Sequence, residues 1–244
     1  MSLRIAFDLD GTVADLDSAL AEITRRLFGD EPEAVTPDDR PAPGTVPRAA
    51  LEAGDPAAAA PSLEEERVTP PRVRSLSARQ QQMVWEAARR TEDFWETLEE
   101  TEPGIVSRIA ALARERRWEV IFLTQRPGAA GGTTQRQSQR WLAAHGFDLP
   151  SVFVISGSRG KIAAALGLDI VVDDRTENCL DVKVDSQARS VLVMRDDNPK
   201  IPGNAARLGI QAVRSVGELL DGLETTQEDP PPSFLRRLKR MMGS

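Results

Sequence analysis

Residues 3–13 read LRIAFDLDGTV, and no other stretch constrains the fold as much. Leu3, Ile5, Ala6 and Phe7 form the apolar run expected of a parallel strand covered on both faces. Asp8 and Asp10 follow, one residue apart, and a strand's two-residue period puts them on one face. Two carboxylates held that close repel each other unless a cation or a proton lies between them. A chain that keeps them together suits Mg²⁺, a hard cation that takes oxygen ligands. Gly11 lets the chain turn sharply after the strand. In open α/β sheets ligands bind outside the carboxyl ends of strands, where Asp8 falls. The plainer alternative is a capped turn carrying two solvated acids.

Three later segments bear on that choice. Residues 118–127 (WEVIFLTQRP) read as a second apolar strand ending at Thr124. Residues 157–168 (GSRGKIAAALGL) read as a short helix with Lys161 in its first turn, and residues 169–174 (DIVVDD) as a third strand ending in Asp173 and Asp174. Between and after these, helices are expected at 16–28, 77–92, 104–116, 133–145, 176–185 and 216–223, and strands at 151–155, 190–195 and 210–214. Such alternation predicts an α/β fold: a Rossmann-like parallel sheet with helices on both faces and right-handed crossovers. A parallel sheet brings its strand ends to one edge. Residues 128–132 (GAAGG), just after Thr124, predict either a flexible lip over a site or a loose loop.

The ordered set Asp-x-Asp, Thr, Lys, Asp-Asp resembles the haloacid-dehalogenase (HAD) superfamily of aspartyl-phosphate hydrolases over residues 3–15 and roughly 93–220. The resemblance implies a Mg²⁺-dependent phosphomonoester hydrolase. Asp8 would be the nucleophile, and Asp10 the general acid and then the base, its backbone carbonyl also binding Mg²⁺. Asp174 would complete the metal shell, with Asp173 beside it or acting through water. Thr124 and the N–H groups after it would hold the phosphoryl group, and Lys161 would neutralise the charge shared by Asp8 and phosphate. Dehalogenases of this superfamily lack the second aspartate, so Asp10 favours phosphate chemistry.

Residues 93–106 (DFWETLEETEPGIV) and 122–127 (FLTQRP) resemble the 5′(3′)-deoxyribonucleotidase branch and its bacterial relatives. That resemblance implies a nucleotide-like 5′-monophosphate as substrate. Phe94 and Trp95 would lie near a cleft between cap and core, either stacking a base, worth about 1–3 kcal/mol, or anchoring the cap. Arg126 would contact phosphate or buttress the turn. Gln125 stands where the family has Ser or Asn, which departs from its pattern at the substrate. Two alternatives remain open: a phosphatase for a sugar phosphate or other small metabolite, and a catalytically idle HAD scaffold.

Residues 1–15 and 103–224 are expected to form the core, and 16–102 a small helical cap inserted after the first strand. Within the cap, residues 30–73 are rich in Pro, Ala and acids and predict a mobile insert. Residues 225–244 form a Pro-rich linker and tail. In the tail, residues 233–242 (SFLRRLKRMM) place apolar residues on one helical face and four cations around it, suited to an anionic membrane surface or a protein partner, or to docking on the chain's own acidic surface. The formal net charge of −7 argues against binding a nucleic-acid polymer. The single cysteine, Cys179, excludes an internal disulfide and suits a reducing cytoplasm, where a small buried filler is a better account of it than a nucleophile. His145, the only histidine, fits a helix's last turn better than a catalytic role. An apolar strand expected from residue 3 predicts a chain without a signal peptide, and no apolar run approaches the roughly 20 residues that cross a bilayer.

Overall fold

The computed structural model describes residues 2–29, 65, 69–195 and 203–225. The expectations for residues 30–64, 66–68 and the basic segment 233–242 lie outside these. Six strands form one sheet in the order β3-β2-β1-β4-β5-β6, with β1 Arg4–Asp8, β2 Glu119–Thr124, β3 Ser151–Val154, β4 Ile170–Asp173, β5 Arg189–Val193 and β6 Gln211–Val213. The expected α/β class is therefore present. The chain begins at the middle strand, builds outward to one side, then returns to the other. The order reverses between β1 and β4, the kind of switch point at which ligands bind in doubly wound sheets.

Two compact units divide the chain. The first comprises Met1–Asp8, Glu102–Ile121 and Ser158–Ser244. In it β1 pairs in parallel with β4, β4 with β5, and β5 with β6. The strands are buried from their second residue on in β1 and β5 and throughout in β4, as their unbroken apolar sequences require. Phe7 lies opposite Val172, so one residue further along this register Asp8 lies level with Asp173. Helices α4 Ile105–Arg116, α6 Arg159–Leu166, α7 Thr176–Asp185, α8 Gly203–Arg207 and α9 Val216–Thr225 belong to this unit.

Helices α6 and α7 pack unusually closely, and the sequence shows why. Ser158 caps α6, accepting from Lys161 N at 3.0 Å, while its own hydroxyl donates to Asp181 on α7. Gly160 N donates to the same carboxylate at 3.0 Å. A Cβ on Gly160 would press into the Asp181 carbonyl oxygen, so only glycine allows this approach. Cys179 on α7 is fully buried with Leu192 and Ile210, and burial, then the neighbouring Asp173 carboxylate, push its thiol far up. It is a core residue, as expected.

The second unit comprises Leu9–Thr101 and Phe122–Gly157. Its helices are α1 Leu16–Phe28, α2 Pro71–Arg74, α3 Ala78–Arg90 and α5 Thr134–Ala144, with a 3₁₀ turn at Phe94–Glu96. Asp15 caps α1 through Ser18 N, and Ser77 with Gln80 forms a reciprocal capping box on α3. Leu16, Leu20 and Ile23 of α1 and Val84, Trp85 and Ala88 of α3 are buried at helical spacing, and the two helices pack together. Helix α2 begins inside the stretch expected to be mobile. Pro71 stands at its first turn, where no N–H is needed, and its Val73 is buried. His145 closes α5, its Nδ1 2.8 Å from Trp141 O and its ring 4.4 Å from the Trp141 ring.

The GAAGG loop is fastened rather than loose. Ala130 N donates to Arg89 O, Asp93 N to Ala130 O, and Gly132 N to the Asp93 carboxylate at 2.8 Å. The Gln137 amide donates to both Ala130 O and Gly132 O. Gly131 has φ +89°, and a side chain there would strike Asp93, itself left-handed at φ 49°. Composition marked the loop as flexible; the hydrogen bonds of its own glycine-permitted backbone hold it.

The glycines give a paired prediction. Gly160→Ala should destabilise the chain by about 1–3 kcal/mol, because overpacking against fixed backbone outweighs the usual helical gain from alanine. Gly222→Ala, on α9 with nothing within 4 Å of the added carbon, should instead stabilise by about 0.5–1 kcal/mol. Urea denaturation of the two variants beside the wild type checks both signs.

Candidate active site

In the first unit, the register of β1 on β4 gathers acids. Asp8, Asp173 and Asp174 each offer a carboxylate oxygen within 4.8 Å of the others. Strands lie about 4.8 Å apart in a sheet, so acids at level positions on adjacent strands are forced into proximity. Asp8 is 5% exposed and Asp173 1%. Such a cluster needs positive charge, and one source lies within the unit. Arg159, 3% exposed at the start of α6, donates through Nη2 to Asp8 Oδ1 and brings Nε to 2.9 Å from Asp173 Oδ2. Burial alone would lower the pKa of that guanidinium. Asp8, Asp173 and Asp174 more than offset the burial and raise it.

The two acids of the DD pair differ. Asp173 is saturated: its oxygens accept from Arg175 N at 2.9 Å and from the Asn178 amide at 3.0 Å, besides the Arg159 contact. Asp174 Oδ1 is buried with no hydrogen-bond partner. Burial, and then the adjacent Asp173 carboxylate, push the Asp174 carboxyl up to about 7. Arg159 offsets part of this charge, and Arg175 and Arg195, which favour the ionised Asp174, do not overcome its burial and the Asp173 charge. The donor set is oxygen only and one buried oxygen is orphaned. A divalent hard cation such as Mg²⁺ fits both features.

Lys161 does not face this cluster. It is exposed, and among the described residues it pairs with no carboxylate. Residues 159 and 161 are about 200° apart around a helix, so both cannot face the strand ends. Arg159 shares the buried face with Gly160 and Ala163. The charge beside Asp8, expected from Lys161, therefore comes from Arg159. The signal was present in the helical period: Ala163, four residues on, marks the inward face. Asn178, also missed, lies on the first turns of α7 five residues after Asp173.

In the second unit, Asp10 meets Thr124 and Arg126. Thr124, fully buried at the end of β2, donates to Asp10 Oδ2 at 3.4 Å and accepts from Arg126 N at 3.2 Å. Arg126 Nε donates to both Asp10 oxygens at 2.9 and 3.0 Å, and Nη1 donates to Ser138 Oγ at 2.9 Å. The guanidinium carbon lies 4.7 Å from the Trp95 ring centroid and 6.0 Å from that of Trp141. Of the two expectations for Arg126, support of the turn is what its contacts describe. Gln125 is half-buried.

Phe94 and Trp95 are 3% and 1% exposed and meet edge to face at 5.0 Å. Trp95 N donates to Gln137 Oε1, and its indole donates to Pro127 O, each at 3.1 Å. Stacking a nucleobase needs an open ring face, and neither ring has one. Both are core residues of this unit.

No protein-family model matches the chain, and no curated protein matches it. Solved structures do. A HAD family hydrolase from Deinococcus radiodurans R1, with bound phosphate and sodium, aligns with TM-score 0.50 and 14% identity over 91% of this chain and 95% of that one. A dehalogenase aligns with TM-score 0.51 and 14% identity over 90% and 96%. A Thermotoga maritima protein, provisionally described as a beta-phosphoglucomutase, aligns with TM-score 0.50 and 19% identity over 91% and 99%. The fold is thus the α/β fold of HAD-like proteins. No helix among the described residues is long and apolar enough to cross a membrane.

The raised Asp174 carboxyl sets a pH dependence. Between pH 4 and 7 the unfolded chain loses this proton while the folded chain keeps it, so metal-free stability falls across that window and levels off above it. A cation must displace the proton below pH 7. The rise in melting temperature caused by a fixed Mg²⁺ concentration should therefore be larger at pH 8 than at pH 6, with apparent affinity about tenfold higher. Thermal scans with and without Mg²⁺ at both values check this, and Asp174→Asn should remove the difference.

Proposed function

We propose that this chain is a Mg²⁺-dependent phosphomonoester hydrolase working through an aspartyl phosphate. The observation that carries the reading is the carboxylate trio of buried Asp8 and Asp173 and half-buried Asp174, with Arg159, at the ends of the two strands where sheet order reverses. Asp8 attacks phosphorus, and the bond from phosphorus to the leaving oxygen breaks. Asp10, two residues along the chain, gives that oxygen a proton. Water then attacks the phosphorylated Asp8, Asp10 takes a proton from it, and breakage of the phosphorus–oxygen bond to Asp8 restores the carboxylate and releases phosphate.

Arg159 supports the first step by lying against Asp8, where it screens the negative charge that a phosphate would bring. A bound Mg²⁺, held by Asp8 and Asp174 with Asp173 alongside and with the Asp10 carbonyl that the family resemblance implies, would supply further positive charge toward the phosphoryl oxygens. The orphaned Asp174 oxygen favours Asp174 as the direct ligand, while Asp173 is already saturated by Arg159, Asn178 and Arg175. Thr124 and the N–H groups that follow it are proposed to hold the phosphoryl group.

The substrate reading that follows from the FW and TQRP segments is a nucleotide-like 5′-monophosphate. Burial of Phe94 and Trp95 favours a second one, a sugar phosphate or other small phosphorylated metabolite, because it removes the aromatic face a base would use. Phosphate release over a panel of nucleoside monophosphates and sugar phosphates, with and without Mg²⁺, separates these. No release from any of them would leave an idle scaffold.

Asp8→Asn should fold normally and lose at least about a thousandfold in turnover, since it removes the nucleophile at constant size. Retention of more than a few per cent of the rate would exclude the covalent route. Dialysis against EDTA should abolish activity and Mg²⁺ should restore it; full turnover in excess chelator would exclude the metal.

A further inference from the structure

We propose that Arg126 is a positioning residue for Asp10 rather than a ligand for phosphate. The proposal deepens the phosphatase reading and rests on it. Its basis is where the guanidinium's donors go. Nε donates to both Asp10 oxygens, Nη1 donates to Ser138, and Nη2 lies 2.8 Å from Asp10 Oδ1. An arginine that grips phosphate needs two donors of its fork turned toward that ligand. Here Nε and Nη1 are committed to Asp10 and Ser138, and Nη2, which makes no hydrogen bond, is buried in an ion pair with Asp10 Oδ1, so the fork has no two donors turned elsewhere.

The second unit holds this arginine from every side. Its side chain has no exposed surface, and that of Asp10 is 7% exposed. Trp95 covers one face at 4.7 Å, a distance at which a cation is attracted to the ring. Trp95 is itself pinned by hydrogen bonds to Pro127 O and to the Gln137 side chain. Trp141, behind it, is pinned through its indole to Leu98 O at 2.6 Å. Ser138 is fully buried on α5, one residue from Gln137 and three from Trp141, so a single helix face carries three of the supports. A long flexible side chain has been fixed in one rotamer at several points. The group it presents that rigidity to is Asp10.

A carboxylate can swing about two bonds, and proton transfer needs it within hydrogen-bond reach of the leaving oxygen. A shift of about 1 Å can cost about a hundredfold in rate. Nε and Nη2 both lie nearest Oδ1, so Oδ2 is the oxygen that carries the proton in the acid step, and Arg126 fixes the direction from which Asp10 delivers it as the phosphorus–oxygen bond breaks. Nothing in this role touches the phosphate.

The test compares kcat/KM for a series of substituted phenyl phosphates with that for an alkyl phosphate, using the full-length chain with Mg²⁺. A nitrophenolate leaves without a proton, whereas an alkoxide needs one. Arg126→Met should lower kcat/KM about a hundredfold or more for the alkyl phosphate and less than about tenfold for 4-nitrophenyl phosphate. Asp10→Asn should show the same selective loss, and adding Arg126→Met to it should cost little more, because the two residues act as one unit. Arg126→Lys keeps the charge without the fork and should fall between wild type and Arg126→Met. It carries the test if the methionine variant does not fold. Equal losses across all leaving groups, or a rise in KM alone, would overturn the positioning role and point to structural support or phosphate binding. Wild-type protein inactive on every phosphate would instead remove the phosphatase reading, and the positioning role with it.

Discussion

Everything about the first unit's strand ends follows from charge in a place with little water. The β1–β4 register makes Asp8 and Asp173 neighbours whatever their side chains prefer. Asp174 adds a third carboxyl whose Oδ1 is buried. Ions removed from water cost several kcal/mol each unless good partners are supplied. Arg159 supplies part of the compensation, and α6 exists in its present place because Gly160 allows it to lie against α7. The remainder appears as a carboxyl pushed up to about 7 at Asp174. A fold seeking only stability would not place three acids here.

The second unit meets a similar problem with a buried pair, in which Arg126 Nη2 is left without a hydrogen bond. Asp10 and Arg126 pair with each other, and aromatic rings replace the water that would otherwise screen them. Removing one partner of such a pair costs about 3–5 kcal/mol, because the other stays buried and unmatched. The polar edges of Trp95 and Trp141 are also satisfied, so the rings cannot rotate freely. One buried charge group thus keeps an unmatched donor, Arg126 Nη2, and the cluster around Asp174 an unmatched acceptor oxygen.

Regular elements were legible in the sequence because both periods are strong. The continuous apolar runs of β1, β2 and β4 and the caps at Ser77 and Ser158 announce strands and helices to within a residue or two. The acids at strand ends were legible for the same reason, since a strand's end fixes where its last side chain goes. What failed was rotation and burial. Lys161 and Arg159 are near neighbours in sequence but face opposite ways, and only the small residues at 160 and 163 reveal which is inward. Phe94 and Trp95 sit in a 3₁₀ turn too short to carry a periodic signal, so sequence could not say whether their rings faced a ligand or the core. The partner of Arg126 is 116 residues away, beyond any local pattern.

The fastened loop at 128–132 bears on how this chain could be altered by design or drift. Loops after a strand are ordinarily where new specificity is gained, because they tolerate insertion. Here the loop's amide and carbonyl groups are shared with Arg89, Asp93 and Gln137, and its Gly131 fits only against the left-handed Asp93. An insertion of even one residue would break several of these bonds at once and free Gln137 from Trp95. The segment is therefore a poor graft site, and any lineage that lengthens it must rebuild residues 89–95 in the same step.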